Sequence, residues 1–229
     1  VHHDREMNRY VCTRHDDVKT ILHDKEFVTD PRKANPGSFS REVLGVDLAL
    51  NEKFRIWSDQ VVQVGFNPFP TEEQKRAAAE AQRALLDFPE EMETLRANPE
   101  LIGNAVEEML RFDSPVTNSG RTPNRDIVVS GCPVPRGESL SLSLAAANRD
   151  PAVYPDPDEF DIERGDTHHQ AFGGGRHLCL GAHLARVEGQ EAILGLLRRF
   201  PRLRKSERGH VFHANPSFRG MREFWVRCD

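Results

Sequence analysis

From Ala171 to Arg186 the chain reads Ala-Phe-Gly-Gly-Gly-Arg-His-Leu-Cys-Leu-Gly-Ala-His-Leu-Ala-Arg, so a glycine-rich loop delivers one cysteine, Cys179, to the start of an apolar-periodic helix. This constrains the chain more than any other feature. At a helix start the positive end of the dipole and free backbone N–H groups face the sulfur. Such surroundings lower a cysteine pKa from about 8.5 toward roughly 3.5–7.5 and so favour the thiolate. Gly173, Gly175 and Gly181 leave no side chain where a flat ligand would have to approach the backbone.

A lone thiolate in this setting suits an axial ligand of haem iron. Three other readings compete. Most lone cysteines are buried and inert. Cys179 and His183 lie one helical turn apart with His168, His169 and His177 nearby, a mixture zinc accepts, although no second Cys or His pair has finger spacing. A phosphate-binding Gly-x-Gly-x-x-Gly fails because Leu178 occupies the third glycine position.

The stretch closely resembles the haem-binding loop of the cytochrome P-450 family, Phe-Gly-x-Gly-x-His-x-Cys-x-Gly followed in bacterial members by x-x-Leu-Ala-Arg. The matching residues are Phe172, Gly173, Gly175, His177, Cys179, Gly181, Leu184, Ala185 and Arg186. The resemblance implies haem b as cofactor, Cys179 as its iron ligand, and Phe172, Gly173, Gly175, His177 and Gly181 as residues around it. His177 falls where the family faces a haem propionate. Arg121 falls where a strand offers a basic residue to the other propionate, although an isolated arginine is more commonly just exposed.

The rest of the chain agrees with this reading. Its 229 residues allow one or two domains, and the net charge of −5 argues against a general nucleic-acid binder. Cys12, Cys132, Cys179 and Cys228 follow no framework spacing, which predicts free thiols and a cytoplasmic setting. No apolar run approaches the roughly 20 residues needed to span a bilayer. Hydrophobic periodicity predicts a strand at Arg9–Thr13 and a helix from Arg14 to His23 capped by Thr13. Further helices are expected at Leu48–Val62, Thr71–Leu86, Pro89–Arg96, Pro99–Phe112 and Leu180–Arg199, the last burying Leu180, Leu184, Val187, Leu194 and Leu197. Strands are expected at Asp126–Ser130, Ser139–Ser143, Arg202–Lys205, His210–His213 and Glu223–Arg227, with coil from Asp150 to Gln170. The fold class is mainly α with a smaller β region, α+β.

Glu108 and Arg111 lie three residues apart on one helix face. Alone, such a pair is usually a solvated one worth well under about 1 kcal/mol. Its place upstream of the cysteine loop resembles the family's Glu-x-x-Arg element, whose third partner, an arginine in the coil before the loop, corresponds to Arg164.

The chain resembles one haem domain, residues 1–229, lacking two internal stretches near 45/46 and 84/85. The second would hold the helix over the distal haem face, with its acid–threonine pair. Gly165-Asp166-Thr167 and Glu93-Thr94 have some of those letters in the wrong places. Joined segments of a longer protein fit this better than a shortened molecule, because a haem site without its distal helix exposes apolar surface that monomers rarely tolerate. The resemblance implies a haem-thiolate monooxygenase placing one oxygen atom of O2 into a small organic substrate. Its electrons would come from a ferredoxin, a flavodoxin-like protein or a fused reductase. Arg176, Arg186, Arg198 and Arg199 form a candidate docking patch for an acidic donor. A non-enzymatic haem sensor and a peroxide-driven enzyme of the same fold are the alternatives.

Overall fold

A computed structural model describes residues 1–30, 33–35, 85–165, 167–212, 217 and 219–228. The expected helix at Leu48–Val62, the first fourteen residues of that at Thr71–Leu86 and both expected joins lie outside the described residues.

The sheet that carries the N-terminal half has five strands. β1 (His2–Asp4) pairs antiparallel with β2 (Arg9–Cys12), which runs parallel to β7 (Leu140–Ser143) with Tyr10 opposite Leu140. β4 (Asn118–Pro123) lies antiparallel to β7, with Arg121 opposite Leu140, and β3 (Phe27–Val28) closes the far edge, giving the order β1-β2-β7-β4-β3. Helix α1 (His15–His23) buries Val18, Ile21 and Leu22 against the sheet residues Cys12, Leu140 and Leu142. The spacing of those helix residues is that of one helical face. Its N-cap is Arg14 rather than Thr13, and the Arg14 side chain does not cap it; the Asp150 carboxylate accepts the His15 N–H at 2.8 Å, and Asp16 and Asp17 in the first turn complement the dipole.

A second core is built from helices. α2 (Pro89–Ala97) opens on a proline, whose missing N–H is harmless at a first helical position. A 3-10 turn at Pro99–Leu101 separates it from α3 (Ile102–Phe112), so the helix expected over Pro99–Phe112 begins three residues later. Phe88, Phe112 and Phe160 join the coil to these helices, with ring centroids 4.9–5.4 Å apart. After β7 comes the short α4 (Leu144–Ala147), capped by the Ser143 hydroxyl, and the long α5 (Ala182–Arg199) packs on α3.

The buried stripe of α5 differs from the expected one. Ala182, Gly189, Ile193 and Leu197 are buried, whereas Leu180, Leu184 and Val187 are 76%, 46% and 56% exposed. Small residues decide the side: a Cβ on Gly189 would stand 3.4 Å from Val106, so the helices approach closely there. Leu184 and Val187 are left on the exposed face of α5.

Two hairpins complete the description. β5 (Ile127–Val129) and β6 (Cys132–Val134) turn through Ser130 and Gly131, both at positive φ. β8 (Arg204–Phe212) is continuous where two short strands were expected, and it pairs with β9 (Met221–Arg227) across two register shifts.

Candidate functional site

The cysteine loop is held from three sides. At its centre, Gly173 (φ +68) and Gly175 (φ +62) adopt the left-handed region that side chains avoid. A Cβ on Gly175 would come within 2.3 Å of the Leu22 carbonyl oxygen, because the C-terminal end of α1 packs directly on the loop. The Arg176 guanidinium donates to the Lys25 carbonyl at 3.0 Å, tying the same two pieces together.

Cys179 is exposed, and it lies two residues before Gly181, the N-cap of α5. Its own N–H donates to the Phe172 carbonyl at 2.9 Å, and its carbonyl accepts from Ala182. Among the described residues the N–H groups of Leu180 and Gly181 have no protein acceptor. They follow the sulfur-bearing residue at the positive end of an 18-residue helix. No described atom lies within 4 Å of a Cβ built on Gly181, so this glycine faces open space. Leu178 and Leu180 are exposed on either side of the thiol.

Arg121 is 4% exposed, so the reading of it as an ordinary surface arginine is wrong. Its guanidinium donates only to Ser119 Oγ and the Gly120 carbonyl, each at 2.8 Å, and among the described residues no carboxylate pairs with it. Burial alone pushes its pKa below the ordinary arginine value. Burial, then the charges of Arg121 and Arg176, likewise hold the His177 imidazole below its usual value. Arg121 and Arg176 are therefore near enough to His177 to disfavour its charged form.

Glu108, Arg111 and Arg164 meet beneath the loop. Glu108 and Arg111 are fully buried and joined by two bonds of 2.7 and 2.8 Å. Arg164 Nε reaches the same carboxylate at 3.3 Å, and the Asp161 N–H donates to it at 3.0 Å. Arg111 also donates to the carbonyls of Asn148, Pro157 and Glu159, and Arg164 to those of Pro155, Asp156 and Glu159. These bonds bind the coil, which lacks secondary structure of its own, to α3.

Several residues of the site escaped the sequence reading. Asn148, fully buried, accepts from the Gln170 N–H at 2.7 Å and donates to Ser114 Oγ at 2.8 Å, fixing the residue that begins the loop. Glu107, next to Glu108, accepts a fork from Arg186 at 2.6 and 2.9 Å. His169 Nε2 lies 3.2 Å from the same carboxylate, at an angle too bent for a directed hydrogen bond. Burial raises the Glu107 carboxyl, but His169 and then Arg186 outweigh it and bring it down to about 2. The Glu107-Glu108 doublet was the visible signal: adjacent helix positions face roughly 100° apart. His169 turns toward Glu107, not toward Cys179, and Arg186 is engaged with Glu107, not open to a partner.

Three comparisons bear on this arrangement. A sequence model of the cytochrome P450 family matches residues 71–212, more than half of the chain. A putative cytochrome P450 140 from Mycobacterium tuberculosis is 53% identical over 128 residues, covering 56% of this chain and 29% of the relative. The biotin biosynthesis cytochrome P450 of Bacillus subtilis is 45% identical over 142 residues, covering 62% of this chain and 36% of its own length. The chain thus spans well under half the length of these curated relatives. Among solved structures, P450BioI in complex with a fatty-acid-ligated acyl carrier protein aligns with a TM-score of 0.65 at 41% identity, over 67% of this chain and 40% of that one. The hydroxylase HmtN of himastatin biosynthesis, at 20% identity, shares the fold with a TM-score of 0.77 over all of this chain and 93% of that one.

Proposed function

This chain belongs to the cytochrome P450 family, and on that premise we propose that it carries the cofactor-holding part of a haem-thiolate monooxygenase. The overall reaction would place one oxygen atom of O2 into a small organic substrate and reduce the other to water, in the cytoplasm. The observation that carries this reading is an exposed thiol at the rim of a glycine-rich loop that leads into a helix, together with a buried arginine, Arg121, that pairs with no carboxylate among the described residues.

The family's cofactor is haem b, and the residues present fit it. Haem brings one iron that accepts a thiolate, an apolar ring and two carboxylates. Cys179 would supply the thiolate. Exposed Leu178 and Leu180 and the open space at Gly181 suit an apolar plate. Arg121 and His177 would take the carboxylates, and a charge-assisted pair there would relieve the cost of burying Arg121 alone. When bound, haem supplies the oxygen chemistry, for which a thiolate ligand favours O–O cleavage.

The chain's own residues do the positioning. The Leu180 and Gly181 amides would donate to the sulfur and favour its ionised form. Phe172 holds the Cys179 amide, and the Glu108–Arg111–Arg164 cluster keeps the preceding coil in place. Electrons would come from a ferredoxin, a flavodoxin-like protein or a fused reductase docking on the Cys179 side. Arg198 and Arg199 are exposed at the far end of α5, and Arg176 is exposed beside the thiol although anchored to Lys25. With Arg186 withdrawn, this patch is narrower than the sequence implied. An acidic donor would be steered to it, and salt would weaken the steering.

The reading is tested by titrating the purified protein with haem and then supplying reduced ferredoxin at low and high salt. One haem per chain, lost in Cys179→Ala, is expected, with electron transfer slower in high salt and in Arg176→Glu. Absence of haem uptake would refute the proposal. Uptake with transfer indifferent to both changes would favour a peroxide-driven or non-catalytic protein.

A further inference from the structure

Helix α3 carries two adjacent carboxylates, and only Glu108 faces the coil. Glu107 faces α5 and the cysteine loop. Its two oxygens accept the Arg186 fork at 2.6 and 2.9 Å, a geometry that fixes the guanidinium plane. The guanidinium carbon then lies 4.7 Å from the centre of the Phe172 ring. The buried His169 ring stands 5.8 Å from the same phenyl, with its Nε2 3.2 Å from Glu107. His169 Nδ1 accepts the Ala171 N–H at 3.2 Å, so in the neutral ring the proton sits on Nε2, the nitrogen nearer the carboxylate. Phe172 in turn accepts the Cys179 N–H through its carbonyl.

Both legs of the loop thus meet at one carboxylate: His169 from the leg before Cys179 and Arg186 from the helix after it approach Glu107, and the Phe172 ring lies against both of them. An exposed ion pair would contribute little. This one is bidentate, three-quarters withdrawn from solvent at Glu107, and coupled to a buried imidazole and an aromatic ring.

We propose that Glu107 is a positioning residue for the thiolate centre: by holding Arg186 and His169 it fixes Phe172, and through the Phe172 carbonyl it fixes the backbone of Cys179. This rests on the haem-thiolate reading given above. It differs from the role of Glu108, which ties the coil rather than the cysteine itself.

The experiment compares Glu107→Ala, Glu107→Gln and Arg186→Lys with the parent. Arg186→Lys keeps the charge and loses the fork and the stacking. Two quantities are read: hydrogen exchange at the Cys179 amide in the protein without haem, and, in the haem-loaded protein, the share of the ferrous carbon-monoxide complex that shows thiolate ligation. Glu107→Ala is expected to speed exchange at Cys179 by about tenfold or more, the scale of losing charge-assisted bonds from a local opening. The thiolate-ligated share should fall severalfold in parallel, with Glu107→Gln and Arg186→Lys intermediate. Exposed Glu93→Ala, whose partner is Arg96 on α2, serves as the control and leaves both unchanged. Parent-like exchange and parent-like spectra in Glu107→Ala would overturn the inference. If that variant does not fold, the other two decide by the same criteria. Should the parent take up no haem, the functional reading fails while the exchange measurement still judges the role of Glu107.

Discussion

The backbone N–H of Cys179 donates to the carbonyl of Phe172 at 2.9 Å, so the loop closes on itself across seven residues and presents the thiol at its rim. That bond occupies the cysteine's own amide. The two amides that follow, on Leu180 and Gly181, have no protein acceptor among the described residues. The geometry of this closure, more than the presence of a cysteine, is what distinguishes the site from an inert buried thiol.

The loop glycines separate two effects. Gly175→Ala meets the Leu22 carbonyl oxygen at 2.3 Å and a φ of +62, so it forces α1 and the loop apart. A loss of about 2 kcal/mol or more is expected, from left-handed strain plus the clash. Gly181→Ala meets nothing within 4 Å. It should leave the thermal midpoint without haem within about a degree or two, the scale of a change below roughly 0.5 kcal/mol, yet weaken haem uptake. Equal effects of both variants on the haem-free protein would contradict this.

Arg121→Met should change sign with the cofactor. Without haem it removes a buried guanidinium that has no carboxylate partner among the described residues, which is neutral or stabilising by about 1–4 kcal/mol. With haem it removes a charge-assisted bond, and uptake should weaken by about 1.5–3 kcal/mol. Urea unfolding and haem titration of the same pair of proteins read both signs.

Glu108→Ala leaves Arg111, fully buried, without a counter-charge. It should cost about 3–5 kcal/mol, or prevent folding. Glu93→Ala removes an exposed partner of Arg96 and should cost less than about 0.5 kcal/mol. The urea midpoints of the two variants measure the contrast.

Acid should loosen α5 from α3. The folded Glu107 carboxyl is brought down from 4.5 to about 2. Its contribution is therefore fully present above the unfolded value and is lost as pH falls from about 4.5 toward 2. Across that window the parent should lose on the order of 2–3 kcal/mol more than Glu107→Gln. Identical acid profiles for the two proteins would show that the fork contributes nothing.

The cysteine loop and Glu108–Arg111 could be picked out in the sequence because each is local: glycines, cysteine and helix start are contiguous, and the charged pair lies within one helical turn. The α+β class followed from the same kind of local pattern. What depends on tertiary packing was harder. Leu180, Leu184 and Val187 looked like part of the buried face of α5, but the closeness allowed by Gly189 turned Ala182 and Ile193 inward instead, and of the expected face Leu197 is buried. Arg186 lies on that inner stripe, so a residue read as part of a docking patch is an internal partner of Glu107. Asn148 and Gln170 were invisible because their role comes from bonds between segments far apart in the chain. The Ser130-Gly131 turn is a hairpin signal legible in the sequence, but the strand it leads into, Cys132–Val134, is too short for periodicity to mark.

The central claim is that Cys179 binds haem iron as a thiolate. Its most direct test is the absorption spectrum of the reduced carbon-monoxide complex of the haem-loaded protein, measured beside Cys179→His. The parent should show the long-wavelength Soret band of a thiolate-ligated haem, and the variant the shorter-wavelength band of histidine ligation. Matching bands in the two proteins, or a parent that takes up no haem, would contradict the account.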